Sequence, residues 1–199
     1  MKNFNKYLAE FIGTFALAFV VALSLAGTFP VPTPVLAGLT LGLFVYTIGH
    51  ISGTHLNPAI TAGALSIGKI TWQDAIGYWI AQFLGAWAAL AVTAQMVDPA
   101  VLAMSTSPWI AVAEGFGAFF FAFGVAAVMY GRVPKDLLGI VVGGSLLLGI
   151  SIAASVSNGV LNPAVALSIG SFNLMYVLGP VIGAILGMWT YKLLSGEKK

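Results

Sequence analysis

The stretch Gly49-His-Ile-Ser-Gly-Thr-His-Leu-Asn-Pro-Ala59 and its later counterpart Ser155-Val-Ser-Asn-Gly-Val-Leu-Asn-Pro-Ala164 decide the fold of this chain. Each stretch is polar, yet each directly follows an apolar segment and is itself followed by a short apolar segment. Such a segment has about ten residues, and at a rise of ~1.5 Å per residue it crosses only about half of a bilayer's hydrocarbon core. We therefore expect each Asn-Pro-Ala to begin a half-helix that enters a membrane and stops inside it.

The rest of the chain is apolar enough to surround these insertions with membrane-spanning helices. Of 199 residues, 59% are hydrophobic and only 7% are charged, whereas a soluble domain has about a quarter of its residues charged. The outer surface must therefore face the lipid bilayer. The spans, each close to the ~20 apolar residues that cross a membrane, are 8–26, 35–50, 75–95, 109–130, 137–154 and 175–194. The predicted fold class is an all-α membrane protein with six spans and two re-entrant half-helices.

The chain repeats itself once within a single predicted domain, 1–199, whose halves are approximately 1–100 and 101–199. Ala9-Glu-Phe-Ile-Gly-Thr-Phe15 matches Ala113-Glu-Gly-Phe-Gly-Ala-Phe119, and the two Asn-Pro-Ala stretches match each other. Each half carries three spans, an odd number, so the halves are expected to lie in opposite orientations. An inverted repeat with paired broken helices places a transport site near the bilayer midplane.

The distribution of basic residues predicts the orientation in the membrane. With six spans, all eight Lys and Arg residues fall at the two termini and in the 69–74 and 131–136 loops, and the opposite side carries only Asp98. By the positive-inside rule, we expect a multi-pass protein of the cell (plasma or inner) membrane with both termini in the cytoplasm.

The residues of the Asn-Pro-Ala motifs suit a pore constriction. Asn is a preferred N-cap and Pro a preferred first helical residue, and the motifs are Asn57, Pro58, Ala59 and Asn162, Pro163, Ala164. If each Asn oxygen caps its own helix, its NH₂ group is left with two free donors for a permeating molecule. Both helix dipoles would also turn their positive ends to the midplane, which repels cations.

Other chemistry is not indicated. The chain has no cysteine, and its net charge of +2 is too small to suggest nucleic-acid binding. No acid/base pair, nucleophile or metal cluster is present in the sequence, so we expect no catalytic residue, no metal site and no cofactor.

Both Asn-Pro-Ala loops and the Ala-Glu starts of the first and fourth spans resemble the aquaporin (major intrinsic protein) family, over nearly all of the chain. The resemblance implies a right-handed six-helix bundle that assembles as a homotetramer with one pore per subunit. It implies a passive channel for water and/or small neutral solutes that excludes ions and protons. It also implies that Glu10, Glu114 and His50 brace the re-entrant loops. Proton transfer or ion binding by the glutamates, and gating by His50, are the alternative roles.

The outer constriction departs from the family pattern, as in an atypical microbial member that lacks the filter arginine. Val165 stands where the family usually has that arginine, Ala37 where water-selective members have Phe, and Ile150 where they have His. The predicted selectivity filter is therefore the uncharged, apolar set Ala37, Ile150, Gly159 and Val165. A wide apolar opening suits glycerol-like polyols, urea and neutral metalloid acids as well as water, whereas dewetting would oppose passage.

Two other functions remain open from the sequence. Inverted repeats with broken helices also occur in secondary transporters, in which case uptake would depend on voltage or on a proton gradient. A junction or scaffold protein with a closed pore is the second alternative, and liposomes carrying it would show no solute flux.

Overall fold

The computed structural model describes residues 2–27, 29–102 and 105–197, and these residues form six long helices, two short helices and one 3₁₀ turn, Lys135–Leu137. The long helices are α1 (Lys2–Leu25), α2 (Thr33–Ser52), α4 (Trp72–Thr93), α5 (Pro108–Met129), α6 (Leu138–Ala153) and α8 (Met175–Leu194). The short ones are α3 (Pro58–Ser66) and α7 (Pro163–Ser168). Six of the described helices are long and apolar enough to cross a membrane, and each coincides with a predicted span.

The two short helices end soon after they begin, at nine and six residues. The hydroxyl groups of Ser66 and Ser168 donate to carbonyls three residues earlier in their own helices. Gly68 and Gly170 then adopt left-handed φ angles of 78° and 75°, which glycine accepts without steric cost and which commonly ends a helix. The half-helices are thus somewhat shorter than the sequence predicts.

The long helices approach one another closely because small residues lie where they cross. Helix α1 packs on α4, α5 on α8, and α2 on α6. A Cβ atom at Gly85 would overlap the backbone oxygen of Phe11, and one at Gly183 would overlap that of Gly115. Such contacts stabilise helix pairs in lipid, where the hydrophobic effect gives little drive for helix association.

Each half-helix packs against the other half of the chain. Helix α3 contacts α8 and α5, whereas α7 contacts α4 and α1. The two short helices also contact each other. Both repeats therefore contribute residues to the centre of the molecule, and neither repeat alone encloses it.

Candidate functional site

The two Asn-Pro-Ala motifs meet through their asparagine side chains. The Oδ1 atom of Asn57 accepts a hydrogen bond from Ala59 N at 2.8 Å, and that of Asn162 accepts one from Ala164 N at 3.0 Å. Both asparagines therefore cap their own helices. Each Nδ2 also donates across the repeat, from Asn57 to Leu161 O at 2.8 Å and from Asn162 to Leu56 O at 2.9 Å.

These cross-repeat bonds correct one expectation from the sequence. The NH₂ groups are not left with two free donors each, because one N–H of each is used to join the two loops. The carbonyls that accept them belong to Leu56 and Leu161, whose φ angles of 48° and 56° are unusual for residues other than glycine. The loops hold this strained backbone in place, and one N–H of each asparagine remains for a passing molecule.

Glu10 fixes the first loop from inside the helix bundle. It is fully buried, and its carboxylate accepts four hydrogen bonds. The donors are Ser52 Oγ (2.7 Å), His55 N (2.9 Å), Leu56 N (2.7 Å) and Gln82 Nε2 (2.8 Å). A carboxylate surrounded by donors is suited to hold non-helical backbone at this depth.

Glu114 occupies the matching position in the second repeat, with fewer partners. It too is fully buried, and it accepts from Ser157 Oγ (2.6 Å), Val160 N (3.0 Å) and Leu161 N (2.6 Å). The place of Gln82 is taken by Pro180 in the second repeat, and proline carries no side-chain donor. The two loops are therefore braced in the same way but not equally.

The serine partners of the glutamates were not singled out from the sequence. Ser52 and Ser157 hold equivalent places in the two repeats, and both donate to the buried carboxylates. That equivalence is readable in the alignment of the two halves, so it could have identified them. Trp79 is a further residue of this kind, because its Nε1 donates to Pro58 O at 3.1 Å and ties the start of α3 to α4.

The two histidines lie in different environments, and His50 differs from its expected role. His50, expected to brace a loop, is exposed on the last turn of α2, and its side chain has no hydrogen bond to any residue that the structure describes. It faces the cavity at the lysine-rich end of the molecule instead. His55 is the buried histidine that contacts the site, with Nδ1 3.1 Å from Thr61 Oγ1. Because the Thr61 hydroxyl donates to Asn57 O, His55 Nδ1 is the donor in this pair.

A cavity of about 210 Å³ reaches the asparagines from the end of the molecule that carries Leu25 and Thr33. Ala37, Ile150, Gly159 and Val165 all line it, together with Asn57 and Asn162. Most of the remaining wall is hydrocarbon, and the side chains that supply it include Leu17, Val21, Leu41, Phe121, Leu146 and Ile169. We call this space the outer cavity. No acidic, lysine or arginine side chain lines it within the described part of the chain.

Among the four predicted filter residues, Gly159 lies in the second loop, and its backbone conformation explains why glycine occupies this position. Its φ angle is +63°, and a Cβ atom there would lie 2.9 Å from Ala154 Cβ and 3.0 Å from Ile150 O. Any larger residue would be strained at this point and would push against α6. Val165 lies on the first turn of α7, and its N–H donates to Asn162 Oδ1 at 3.3 Å.

A second and wider cavity, of about 810 Å³, opens at the other end of the molecule. Its polar wall includes Lys6, Lys69, Lys135 and His50. We call it the inner cavity. His55 lines both the outer and the inner cavity, so the two spaces adjoin beside the start of α3.

Comparison with known proteins agrees with this architecture. The family model described as Major intrinsic protein matches residues 1–191. Aquaporin NIP1-1 of Zea mays is 33% identical over 98% of this chain and 76% of its own length, and Aquaporin NIP3-1 of Arabidopsis thaliana is 32% identical over 98% and 69%. The X-ray structure of the aquaglyceroporin from Plasmodium falciparum superposes with a TM-score of 0.63, covering 98% of this chain and 96% of that one. At 19% identity, this last likeness concerns the fold alone.

The match over nearly the whole chain, the two relatives above 30% identity and the paired half-helices lead to one conclusion. This chain belongs to the major intrinsic protein family, and it is a multi-pass membrane protein that forms a passive channel, not an enzyme, for water and small neutral solutes.

Proposed function

We propose that this channel passes neutral solutes of glycerol size as well as water, and that Ala37, Ile150, Gly159 and Val165 form its selectivity filter. The observation that carries the proposal is the composition of the outer cavity. All four residues line one space that reaches both capping asparagines, and no charged side chain narrows it among the described residues. Without a guanidinium group, the filter has neither a fixed charge nor a planar set of donors that would exclude larger solutes.

The size of the outer cavity supports passage of more than single water molecules. A water molecule needs about 10–15 Å³ of such space, and the outer cavity offers about 210 Å³. A polyol, urea or an undissociated metalloid acid is several times larger than water and would still fit. The remaining N–H groups of Asn57 and Asn162 then provide donors for a solute that has lost its hydrogen bonds to bulk water.

Flux through purified protein in liposomes tests this proposal. We expect stopped-flow light scattering to show accelerated entry of water, glycerol, urea and neutral arsenite relative to protein-free liposomes. The rates should not depend on membrane voltage or on a proton gradient, because the channel is passive. Solute entry at the protein-free rate, with water alone accelerated, would show that the filter excludes solutes and that our assignment is wrong.

We also propose that cation exclusion depends on the junction of the two half-helices. Both helix N-termini point at this junction, and each carries a partial positive charge of about half an elementary charge. The double substitution Asn57→Asp and Asn162→Asp keeps the capping oxygens but adds negative charge there. We expect cation conductance in planar bilayers to rise at least about tenfold, because fixed negative charges that line a narrow pore favour the passage of cations.

Asn173→Asp is the matched control for this experiment. Asn173 lies just before α8, where its Oδ1 accepts from Met175 N at 2.9 Å, and it is not among the residues that line either cavity. The same change of charge at this helix start should leave conductance at the wild-type level. If the folded double variant also stays at that level, the electrostatic role of the junction is wrong.

We propose that both termini lie in the cytoplasm. Lys6, Lys69 and Lys135 all line the inner cavity, which supports one basic face of the molecule, as the positive-inside rule requires. Because the chain has no cysteine, single cysteines can be labelled without background. In right-side-out vesicles, Ser105→Cys should react with an impermeant maleimide, and Lys135→Cys should react only after permeabilisation. The reverse pattern would invert the topology.

We further propose a homotetramer in the cell (plasma or inner) membrane. The family resemblance supports this assembly, and large apolar side chains exposed on α2 and α6 provide surface for it. Leu39, Leu43 and Ile140 are each about three-fifths exposed, at 65%, 59% and 64%. Native mass spectrometry from nanodiscs should give four times the mass of one chain, which is 20.6 kDa. A predominant monomer would contradict the assembly without affecting the proposal for the filter.

A further inference from the structure

The open end of the outer cavity carries a hydroxyl group that the filter and the junction do not use. Thr33 lines this cavity, is the first residue of α2, and precedes Ala37 of the filter by four residues. Four residues of an α-helix rise about 6 Å and place the two side chains on the same face. Thr33 is half-buried. It therefore lies about one turn nearer the opening than the filter does.

The other polar side chains of this wall come from different elements. His55, Asn57 and Asn162 belong to the junction of the half-helices, and Asn158 belongs to the second loop, where its Nδ2 donates to Ser171 Oγ at 2.9 Å. The described residues of α2 that line the cavity are Thr33, Pro34, Ala37 and Leu41. Among these four, Thr33 alone carries a polar side chain, so it is the hydrogen-bonding group on the α2 side of the path to Ala37.

The hydroxyl of Thr33 is not taken up by its own helix. Inside a helix, Ser and Thr hydroxyls often donate to the carbonyl four residues earlier, as Thr47 does to Leu43 O and Ser151 does to Leu147 O. Thr33 begins α2, so no preceding turn of that helix can accept its hydrogen. Its hydroxyl has one partner among the described residues, Ser24, whose Oγ lies 2.9 Å from Thr33 Oγ1.

This pair of hydroxyls keeps hydrogen-bonding capacity for a solute. A hydroxyl has one donor and two acceptor positions, and its hydrogen rotates to suit its partner. Whichever residue donates in the contact with Ser24, Thr33 Oγ1 uses one of these three positions and retains two. Ser24 is not among the described residues that line the cavity. Thr33 is thus the member of the pair that a solute in the cavity can reach.

A neutral polar solute loses hydrogen bonds to water as it approaches the filter. Groups that leave water without finding a new partner are unfavourable in an apolar passage. The side chains of Ala37, Ile150 and Val165 offer no donor or acceptor. A hydroxyl one turn before Ala37 would replace part of the lost hydration at the point where the solute enters this ring.

We propose that Thr33 is a specificity-determining residue of this channel, whose hydroxyl hydrogen-bonds hydroxyl- and amide-bearing neutral solutes as they approach Ala37. The inference rests on the proposed solute conduction and adds to it the residue that favours polar solutes at the entrance. Water depends on this group less, because a water molecule in the passage can remain bonded to the water molecules before and after it.

The test compares Thr33→Val, Thr33→Ser and Ser24→Ala in liposomes, using glycerol, urea and water. Valine keeps the branched shape of threonine and lacks the hydroxyl, serine keeps the hydroxyl, and Ser24→Ala removes the partner but leaves Thr33 in place. We expect Thr33→Val to reduce glycerol and urea flux about two- to tenfold, the effect of losing one hydrogen bond, and to change water flux by less than twofold. Thr33→Ser and Ser24→Ala should retain most of the solute flux.

The alternative role of the hydroxyl pair is to hold α1 against α2, and the variants separate the two roles. If Ser24→Ala lowers solute flux as much as Thr33→Val, or if Thr33→Val lowers water and solute flux equally, the pair is only structural and the inference is overturned. Unchanged solute flux in a monodisperse Thr33→Val protein also overturns it, and Thr33→Ala replaces this variant if valine prevents folding. A wild-type channel that admits water alone would instead contradict the proposed function, so the two failures are distinguishable.

Discussion

Val165→Arg is expected to reduce glycerol and urea flux at least about tenfold while water flux falls much less. Val165 is only 3% exposed and lines the outer cavity with Ala37 and Ile150. An arginine at this point would fill the space that the small neighbouring residues leave open. Its guanidinium group would also add a positive charge and five donors. A water molecule can pass beside this group more easily than a polyol can. Stopped-flow measurements on matched amounts of reconstituted protein provide the comparison.

Val165→Leu is the control that separates width from charge. Leucine adds one methylene without charge, so it should lower solute flux only modestly, and cation exclusion should not change. Because burying an arginine can disturb folding, both variants should first elute as the wild type does in detergent. If neither substitution alters the ratio of solute to water flux, then Val165 does not lie at the narrowest part of the pore and the proposed filter is incorrect.

Much of the fold follows from local sequence patterns. Six apolar segments of spanning length predict the long helices, and Asn-Pro predicts where α3 and α7 begin, because capping and proline preferences act within a few residues. Counting along the sequence from the two motifs also identifies Ala37 and Ile150, and both residues line the outer cavity.

What could not be predicted depends on contacts between distant parts of the chain. The bond from Asn57 to Leu161 joins residues about a hundred positions apart, and no local pattern records such a distance. The same reason explains His50, whose position in the sequence resembles that of a brace although its ring faces the inner cavity. The anchoring of the second loop is similar, because Asn158 donates to Ser171 and Tyr176, which lie beyond the second half-helix.

Replacing the buried glutamates by glutamine should strongly reduce stability, and Glu10→Gln should have the larger effect. Each oxygen of Glu10 accepts from one loop N–H, of His55 or Leu56. In either orientation, the NH₂ group of a glutamine would therefore face a backbone donor and leave it without a partner. If the NH₂ group takes the position of Oε2, Gln82 must also turn its amide or lose its bond. In Glu114→Gln, the NH₂ group of the glutamine would likewise face one backbone N–H, of Val160 or Leu161. The second repeat has no side-chain amide that corresponds to Gln82.

Each buried donor without a partner costs about 1–3 kcal/mol. At about 2–4 °C per kcal/mol for a chain of this size, the melting temperature of Glu10→Gln should fall by roughly 2–12 °C. Thermal unfolding in detergent, followed by tryptophan fluorescence, measures this. Glu197→Gln is the matched control, because Glu197 pairs with Arg132 near the surface, where an ion pair contributes little. The order of loss should be Glu10, then Glu114, then Glu197. Equal and small effects at all three positions would mean that the carboxylates do not stabilise the loops, and that the strained carbonyls of Leu56 and Leu161 are held by the asparagine bonds alone.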